Sequence, residues 1–525
     1  MKEKRILLFL LLAPGTSKAD GTDNNQPLRG KTFLPPRSES VNVARELTLW
    51  HRYINLFCQD YYGAFTITGE YKHTFRPERM AEYFWAVDEL TITGSQVANR
   101  NDETQILADY FGLSPQFQSS VRMKPEIATG VIAFNLYLGH EDYYLRLHIP
   151  YVATRWHYKL FETIAPASVN TPYPALYMDG AAVAPPATSF TQAIAGNLAW
   201  GQMQDPLRFG RIVGPQRKSG LAEPQIALGY NIINTPISHF GIALRGSIPA
   251  GTRSTAEFLF EPILGNGHHP ELGIGVTGHW IVWEKDGNQS VGIYTDINLT
   301  HLFNSRQRRS FDLINPADPS NNDFRGFGTR YILAKEFNIL GTYTGRLIPV
   351  INITSLECDV SVAIQVDAVI MASYHYKNYS VDFGYNAWLR SHEMISNREK
   401  IPENRYALKG IQDVSTLFGP NNDTQSTATI YGNNLALQAV VADPHPPVFF
   451  NDDQIDERSA QATRAFTHKL FGSFGYAWEC TRTIAPFIGI GAEFEFEGLN
   501  PRHEIKANNN SISQWGVWIK AGFGF

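Results

Sequence analysis

Along most of this chain, large apolar side chains recur at every second position, the spacing that puts them on one face of a β-strand. In residues 515–525, Trp515, Val517, Ile519, Ala521, Phe523 and Phe525 share one parity against Gly516, Trp518, Lys520, Gly522 and Gly524. Upstream, Tyr143, Leu145, Leu147, Ile149 and Tyr151 alternate with Tyr144, Arg146 and His148. Phe240, Ile242, Leu244 and Ile248 alternate with His239, Arg245 and Ser247. The even positions from Val360 to Ile370, with Tyr374, oppose Ser361, Gln365, Asp367, Ser373 and His375. Tyr379, Val381, Phe383, Tyr385 and Leu389 oppose Ser380, Asp382, Asn386 and Arg390. Ile488, Ile490, Ala492, Phe494 and Phe496 oppose Glu493 and Glu495. Weaker versions lie near 62–72, 127–138, 225–234, 271–283, 290–301 and 465–478.

The connections between these runs alternate in length. Segments 139–142, 234–237, 284–289, 376–378 and 479–483 are short and carry turn formers such as Asp286-Gly287-Asn288. Segments 73–126, 155–224, 250–270, 302–357, 393–464 and 497–512 are long. A β-sandwich also alternates apolar and polar faces, so period alone does not decide. The long strands and the alternation of short with long connections favour an all-β fold, an antiparallel transmembrane β-barrel. Its count is about 12 strands, or 14 if 303–313 and 329–337 enter the wall, with short periplasmic turns and long extracellular loops. Aromatic residues make up 13% of the chain, and Tyr143, Tyr151, Tyr374, Tyr379 and Trp478 end apolar faces where interfacial girdles belong.

The first residues read as an export signal. Lys2, Lys4 and Arg5 precede the apolar run Ile6–Ala13, and Ser17-Lys18-Ala19 offers small residues for cleavage after Ala19. Losing residues 1–19 removes four basic and one acidic side chain, taking the net charge from -5 to -8. No other stretch supplies the ~20 apolar residues a membrane-spanning helix needs. The organisation expected is therefore a signal peptide (1–19), a periplasmic N-terminal segment with a short helix (20–61), and the barrel (62–525). The helix is placed within 38–57, capped by Ser38 or Ser40, with Val43, Leu47, Trp50 and Ile54 along one stripe. It either plugs the lumen or rests on the barrel mouth. In the long loops, helices are expected at 77–86 and at 103–111.

The ending at Phe525, with Phe523 two residues before it, resembles the terminal strand by which outer-membrane barrels are recognised by their assembly machinery. With the signal and the strand rhythm, the chain resembles bacterial outer-membrane porin-like proteins as a class. That resemblance implies a place in the outer membrane of a Gram-negative cell, contact with its lipids and with the barrel-assembly machinery, and passive diffusion of small hydrophilic solutes or ions. It leaves homo-oligomer formation open. Inward-facing parity marks Glu70, Arg146, His148, Arg245, Asp296, Asp367, Asp382, Arg390, Lys469, Glu493, Glu495 and Lys520 as pore-lining candidates. The competing reading is a closed or plugged barrel, its interior filled by charge pairs, whose surface loops serve adhesion or a structural role.

Other chemistry finds little support. A net charge of -5 argues against a nucleic-acid partner. Gly489-Ile490-Gly491-Ala492 lies within a strand and relieves crowding on the inner wall rather than binding a nucleotide. His268-His269 has no third ligand nearby in sequence, so no metal and no cofactor are expected. Outer-membrane phospholipases are also twelve-stranded and use His, Ser and Asn, residue types that His301, Asn304 and Ser305 supply here. They lie on one strand rather than two neighbouring ones, so no enzyme activity is expected. The three cysteines, Cys58, Cys358 and Cys480, form no framework; an oxidising compartment would permit a Cys58–Cys480 bridge, but three unpaired thiols is the preferred reading.

Overall fold

The computed structural model describes residues 37–85, 89–98, 105–166, 171–173, 185–199, 203–314, 328–409, 449–478, 484–497 and 512–525. The leader 1–19, residues 20–36 and Cys480 lie outside these residues, so the structure bears on neither the cleavage site nor a Cys58–Cys480 bridge.

Twelve long strands make the wall: β1 (Tyr62–Thr74), β2 (Gln118–His140), β3 (Tyr143–Ile164), β4 (Gln225–Thr235), β5 (Ser238–Ser247), β6 (Glu271–Lys285), β7 (Gln289–Ser310), β8 (Ser355–Tyr376), β9 (Tyr379–Arg390), β10 (Ala465–Ala477), β11 (Ala485–Glu497) and β12 (Gln514–Gly524). Each pairs antiparallel with the next. β12 returns to β1 in the register Ala64↔Gly524 through Thr74↔Gln514, which closes the ring and leaves the wall no free edge. The short turns bring β2 to β3, β4 to β5, β6 to β7 and β8 to β9 at one rim. Asp286 (φ 52°) and Gly287 (φ 65°) form one of them, in the left-handed region that tight hairpins require. Segments 303–313 and 329–337 add no wall strands. Residues 303–310 prolong β7, and Leu333–Phe337 pairs with Tyr343–Pro349 and Tyr406–Leu408 in a separate small sheet.

Burial along the wall is inside out. On β2 the exposed positions include Ile132, Phe134 and Leu138, whereas the buried ones between them include Ala133, Asn135 and Tyr137. On β12, Val517, Ile519 and Phe523 are exposed while Lys520 is 0% exposed. A protein folded in water puts its charges outward. Here the large aliphatic face is the outer one, as a hydrocarbon solvent demands, and polar groups face in.

Four strands far outrun a bilayer. β2 has 23 residues and β3, β7 and β8 have 22 each, against the roughly 9–11 that a spanning strand needs. The excess projects past the rim opposite the short turns and carries a cap. There α2 (Pro77–Trp85), α3 (Phe190–Ile194), α4 (Val350–Thr354) and the small sheet bury one apolar core that includes Phe84, Phe111, Trp156, Phe190, Phe260 and Tyr331. Two expectations change here. Of the helix expected at 103–111, the described part, 105–111, is not α-helical: Gln105–Leu107 is a strand parallel to Thr91–Thr93, followed by a 3-10 turn at Ala108–Phe111. Pairing with a neighbouring strand while burying Ile106 and Leu107 overrides the local helical pattern. Val360 and Val362 do not join Ile364 and Ile370 on the lipid face. β7 slips register between Thr300 and Ser305 opposite them, and both valines are buried, Val360 in the cap core.

Candidate functional site

Inside the ring, residues 37–57 run through the lumen. They enter beside the cap, descend towards the short-turn rim and join β1. Their regular part is small: α1 (Val43–Leu47), then a 3-10 turn at Trp50–Arg52. The helix expected within 38–57 is thus five residues long and capped by Asn42 rather than by Ser38 or Ser40. A five-residue helix has no stability of its own in water, so the wall must hold it. Of the two placements open to this segment from its sequence, mouth or lumen, its contacts are those of the lumen.

At the start of α1, Asn42 Oδ1 accepts from Arg45 N (3.3 Å), while Asn42 Nδ2 donates to Glu70 Oε1 (2.9 Å) and Glu493 Oε2 (2.7 Å). Lys469 Nζ donates to Asn42 Oδ1 (3.3 Å) and to Glu493 Oε1 (2.9 Å). At the other end, Lys520 Nζ donates to the carbonyls of Arg45 (3.2 Å), Glu46 (2.6 Å) and Thr48 (2.8 Å). Helix C-termini leave such carbonyls without partners and carry partial negative charge, so a cation from the wall suits them doubly. Arg45 pairs with Glu70 (2.6 Å) and Lys72 with Glu39 (2.9 Å). Arg37 reaches Asp367 (2.5 Å), Asn386 (2.8 Å) and Glu495 (3.3 Å).

Lower down, contact becomes apolar and aromatic. Trp50 meets Tyr137 edge-on and Tyr53 stacks on Phe487 at 4.6 Å between centroids. Leu49 holds a left-handed backbone (φ 61°), which costs a non-glycine residue about 1–2 kcal/mol. Its side chain occupies the space that a Cβ would need on Gly475 of β10 and on Gly489 of β11. The two glycines form a notch, and the strained leucine sits in it. Below it, His51 Nε2 lies 3.1 Å from His375 Nε2 and 3.0 Å from Ser373 Oγ.

All twelve residues picked out from the sequence face inward, but they fall into three groups. Glu70, His148, Asp367, Asp382, Lys469, Glu493, Glu495 and Lys520 engage the plug. Among them, His148 Nε2 lies 3.1 Å from the Ser40 carbonyl oxygen and Asp382 Oδ2 accepts from Leu49 N (3.3 Å). Arg146, Asp296 and Arg245 form a wall cluster of their own, with Asp296 2.7 Å from Arg146 and 3.6 Å from Arg245. Arg390 stands apart near the cap, where Nη2 donates to the Thr463 carbonyl (3.4 Å). Sequence parity missed the residues these groups answer to: Arg37, Glu39, Asn42 and Arg45. The signal was present as two acids and three bases within 37–46 and 52, adjoining a predicted charged lumen, but periodicity does not read a segment that belongs to no strand. At the terminal strand, Phe523 is outward-facing, and Phe525 N and O bond Gly63 across the seam.

The remaining sequence candidates are engaged elsewhere. His301 Nδ1 lies 3.0 Å from the Ala363 carbonyl oxygen, and Ser305 Oγ donates to the Gly267 carbonyl (3.0 Å), so the two do not form a nucleophile–base pair. His268 and His269 turn to the Gly251 and Phe303 carbonyls respectively. Among the described residues, no group of three or more His, Cys, Asp and Glu side chains has metal-ligating geometry.

No family model matches this chain, and no curated protein matches it by sequence. Solved structures do share its general form. An outer-membrane channel from Pseudomonas putida F1 aligns over 90% of this chain and 98% of its own at 8% identity, with a TM-score of 0.35. A FadL homologue of Pseudomonas aeruginosa aligns over 95% and 98% at 7% identity, TM-score 0.28. The monoaromatic hydrocarbon channel CymD aligns over 95% and 98% at 8% identity, TM-score 0.25. The closed ring, the apolar outer band and the polar interior carry the assignment by themselves. The chain has the fold of an outer-membrane β-barrel.

Proposed function

We propose that this protein is an outer-membrane channel for small hydrophilic solutes whose own N-terminal segment holds the lumen shut at rest. The observation that carries the reading is the path of residues 37–57 through a ring of charged wall side chains. Buried ion pairs return little net stability, because desolvation offsets most of their attraction. Several plug donors are also without partners: Arg45 Nε and Nη2, and Trp50 Nε1. A buried donor left unpaired costs about 1–3 kcal/mol, so withdrawing the plug into water recovers part of what is lost. With the plug out, the sequence-chosen lining carries six carboxylates (Glu70, Asp296, Asp367, Asp382, Glu493, Glu495) against five bases (Arg146, Arg245, Arg390, Lys469, Lys520). That balance supports passage of small polar solutes with weak charge selection.

The test is single-channel recording in planar bilayers, comparing residues 20–525 with a chain begun at residue 58. The truncated barrel is expected to give large, steady conductance steps that the longer chain lacks. A truncated chain that is heat-modifiable on gels, and so folded, yet gives no such steps would overturn the reading. A second reading, surface attachment, is favoured by one feature of the cap. The hairpin between Leu333–Phe337 and Tyr343–Pro349 bares Ile339 and Leu340 at its tip, the latter 83% exposed. Loss of surface binding in an Ile339→Ser/Leu340→Ser variant that conducts normally would favour it.

A further inference from the structure

The plug fills the lumen unevenly. Its polar contacts run mostly to β1, β8, β9, β10, β11 and β12, with His148 of β3, 3.5 Å from Glu46 Oε1, as an exception. Along the facing arc, β3 to β7, wall side chains meet mostly one another. The Arg146–Asp296–Arg245 cluster lies here, and below it Thr277 Oγ1 stands 3.4 Å from Tyr144 Oη and 3.3 Å from His239 Nε2. Two asparagines on the same arc are nearly sealed from solvent, Asn231 at 2% and Asn298 at 6% exposure. Neither end of either amide has a partner in the protein, and Asp296 Oδ1 and Arg146 Nε also lack a hydrogen bond. In polar interiors with room for it, ordered water commonly serves such groups. Beside Asn298 a cavity of about 40 Å³ opens, room for a few waters, lined by Arg245, Glu271 and Gln365 from the wall and by Val41 and Val43 from the plug. Beside Asn298 the plug thus presents aliphatic side chains, not ion pairs, where the wall's polar groups are unsatisfied.

We infer that a file of water descends this arc from Glu271 past Asn298, Arg245, Asp296 and Arg146 to Asn231, and that it passes small inorganic anions while the plug stays in place. The inference deepens the gated-channel reading and rests on its account of the plug. The sign follows from the cluster at the file's centre, where two guanidinium groups flank one carboxylate and leave a local excess of one positive charge; of the two carboxylates at the cavity above it, Asp367 is paired with Arg37 and Glu271 stands at the entry. The cavity admits water and bare ions; organic solutes would need the plug withdrawn.

The experiment is single-channel recording of residues 20–525 across a KCl gradient, with Asn298→Lys and Asn298→Asp as variants. The unaltered chain is expected to show small steps with an anion-favouring reversal potential. The lysine variant should shift that potential further towards anions and the aspartate variant towards cations, opposite changes at one position that a merely structural role would not produce. Arg245→Gln, on a side chain with partial exposure, gives a third shift, towards cations, should either asparagine variant fail to fold. A folded, silent full-length chain overturns the water file, as do variants that leave the reversal potential where it was. The two readings separate cleanly. Large steps on truncation with a silent full-length chain retain the gate and remove the file. Small steps that truncation does not enlarge retain the file and remove the gate.

Discussion

Residues 37–57 and the long-loop cap both cover the lumen, but different forces hold them. The upper plug is tied by charge and by single hydrogen bonds: Arg37 to Asp367, Glu39 to Lys72, Arg45 to Glu70, and Lys520 to three carbonyls. It pairs with no strand of the wall. The cap is built as a water-soluble domain is, with Phe260 between Trp156 (4.8 Å), Phe84 (5.5 Å) and Tyr158 (5.7 Å). Burying such aromatic surface is favourable without a compensating desolvation penalty. Burying a charge is worthwhile only while its partner stays in place. The difference teaches where motion belongs. The plug can exchange its partners for water at little net cost, and the cap cannot.

The largest effect that would sharpen this contrast comes from the cap. Phe260→Ala removes a ring from the centre of its core, for which about 3–5 kcal/mol is the usual loss. Limited proteolysis should then cut within 328–354 while the barrel remains heat-modifiable on gels, because the wall's hydrogen-bonded ring does not depend on that core. If the wall loses its heat-modifiability as well, cap and barrel are one cooperative unit and the division drawn above is wrong.

A smaller, opposite effect belongs to the plug. Lys520→Met keeps the length and burial of the side chain but leaves the carbonyls of Arg45, Glu46 and Thr48 without their donor. Hydrogen bonds to a charged group are worth about 1.5–3 kcal/mol, and every 1.4 kcal/mol is roughly tenfold in an equilibrium. Amide hydrogen exchange over 43–52 should therefore quicken by about 10- to 100-fold, with the cap's protection unchanged. Equal exchange in both proteins would mean that Leu49 in its glycine notch, rather than the lysine, keeps the plug seated.

The wall was legible in the sequence because its cause is local. A strand with lipid on one side and polar groups on the other must alternate, and the parity of Glu70, Lys469 or Lys520 follows from its neighbours. Even so, Val360 and Val362 show the limit: the same parity means lipid at one height and a buried position beneath the cap a few residues further along, where the partner strand slips register. The plug was half legible. The stripe Val43, Leu47, Trp50 and Ile54 marked an amphipathic segment, and all four are buried. Where it would dock was not written in the stripe, because the partners that fix it, Glu70, Glu493 and Lys520, lie from 25 to 475 positions away. The glycines made the least distinct signal. Gly489 read as relief for a crowded wall, and only the fold identifies Leu49 as the crowding residue and adds Gly475 beside it.

The smallest expected effect concerns the seam between the two regions. His269 lies in the loop 248–270 beneath the cap and is 2% exposed. Its Nδ1 donates to the Phe303 carbonyl at 2.7 Å, and its Nε2 accepts from Gln307 Nε2 at 3.2 Å. The Gln307 amide is fixed in that sense because its oxygen accepts two bonds from Arg309. The imidazole is therefore held neutral, and burial pushes its pKa down to about 4 from the ordinary 6.5. A group that resists protonation in the fold contributes stability that is complete above 6.5 and is lost as the pH falls from 6.5 towards 4. Between pH 7.5 and pH 6 the loss is on the order of 1 kcal/mol. Once the slower intrinsic exchange of amides at lower pH is divided out, opening of 263–270 should rise about fourfold over that step, while the apolar cap core at Trp156 and Phe260 keeps its protection. The variant His269→Gln cannot take up a proton in this range, so its exchange in the loop should depend on pH only through the intrinsic chemistry of the amide. If the unaltered protein and this variant respond alike, the seam is held by the cap's apolar core and not by the histidine.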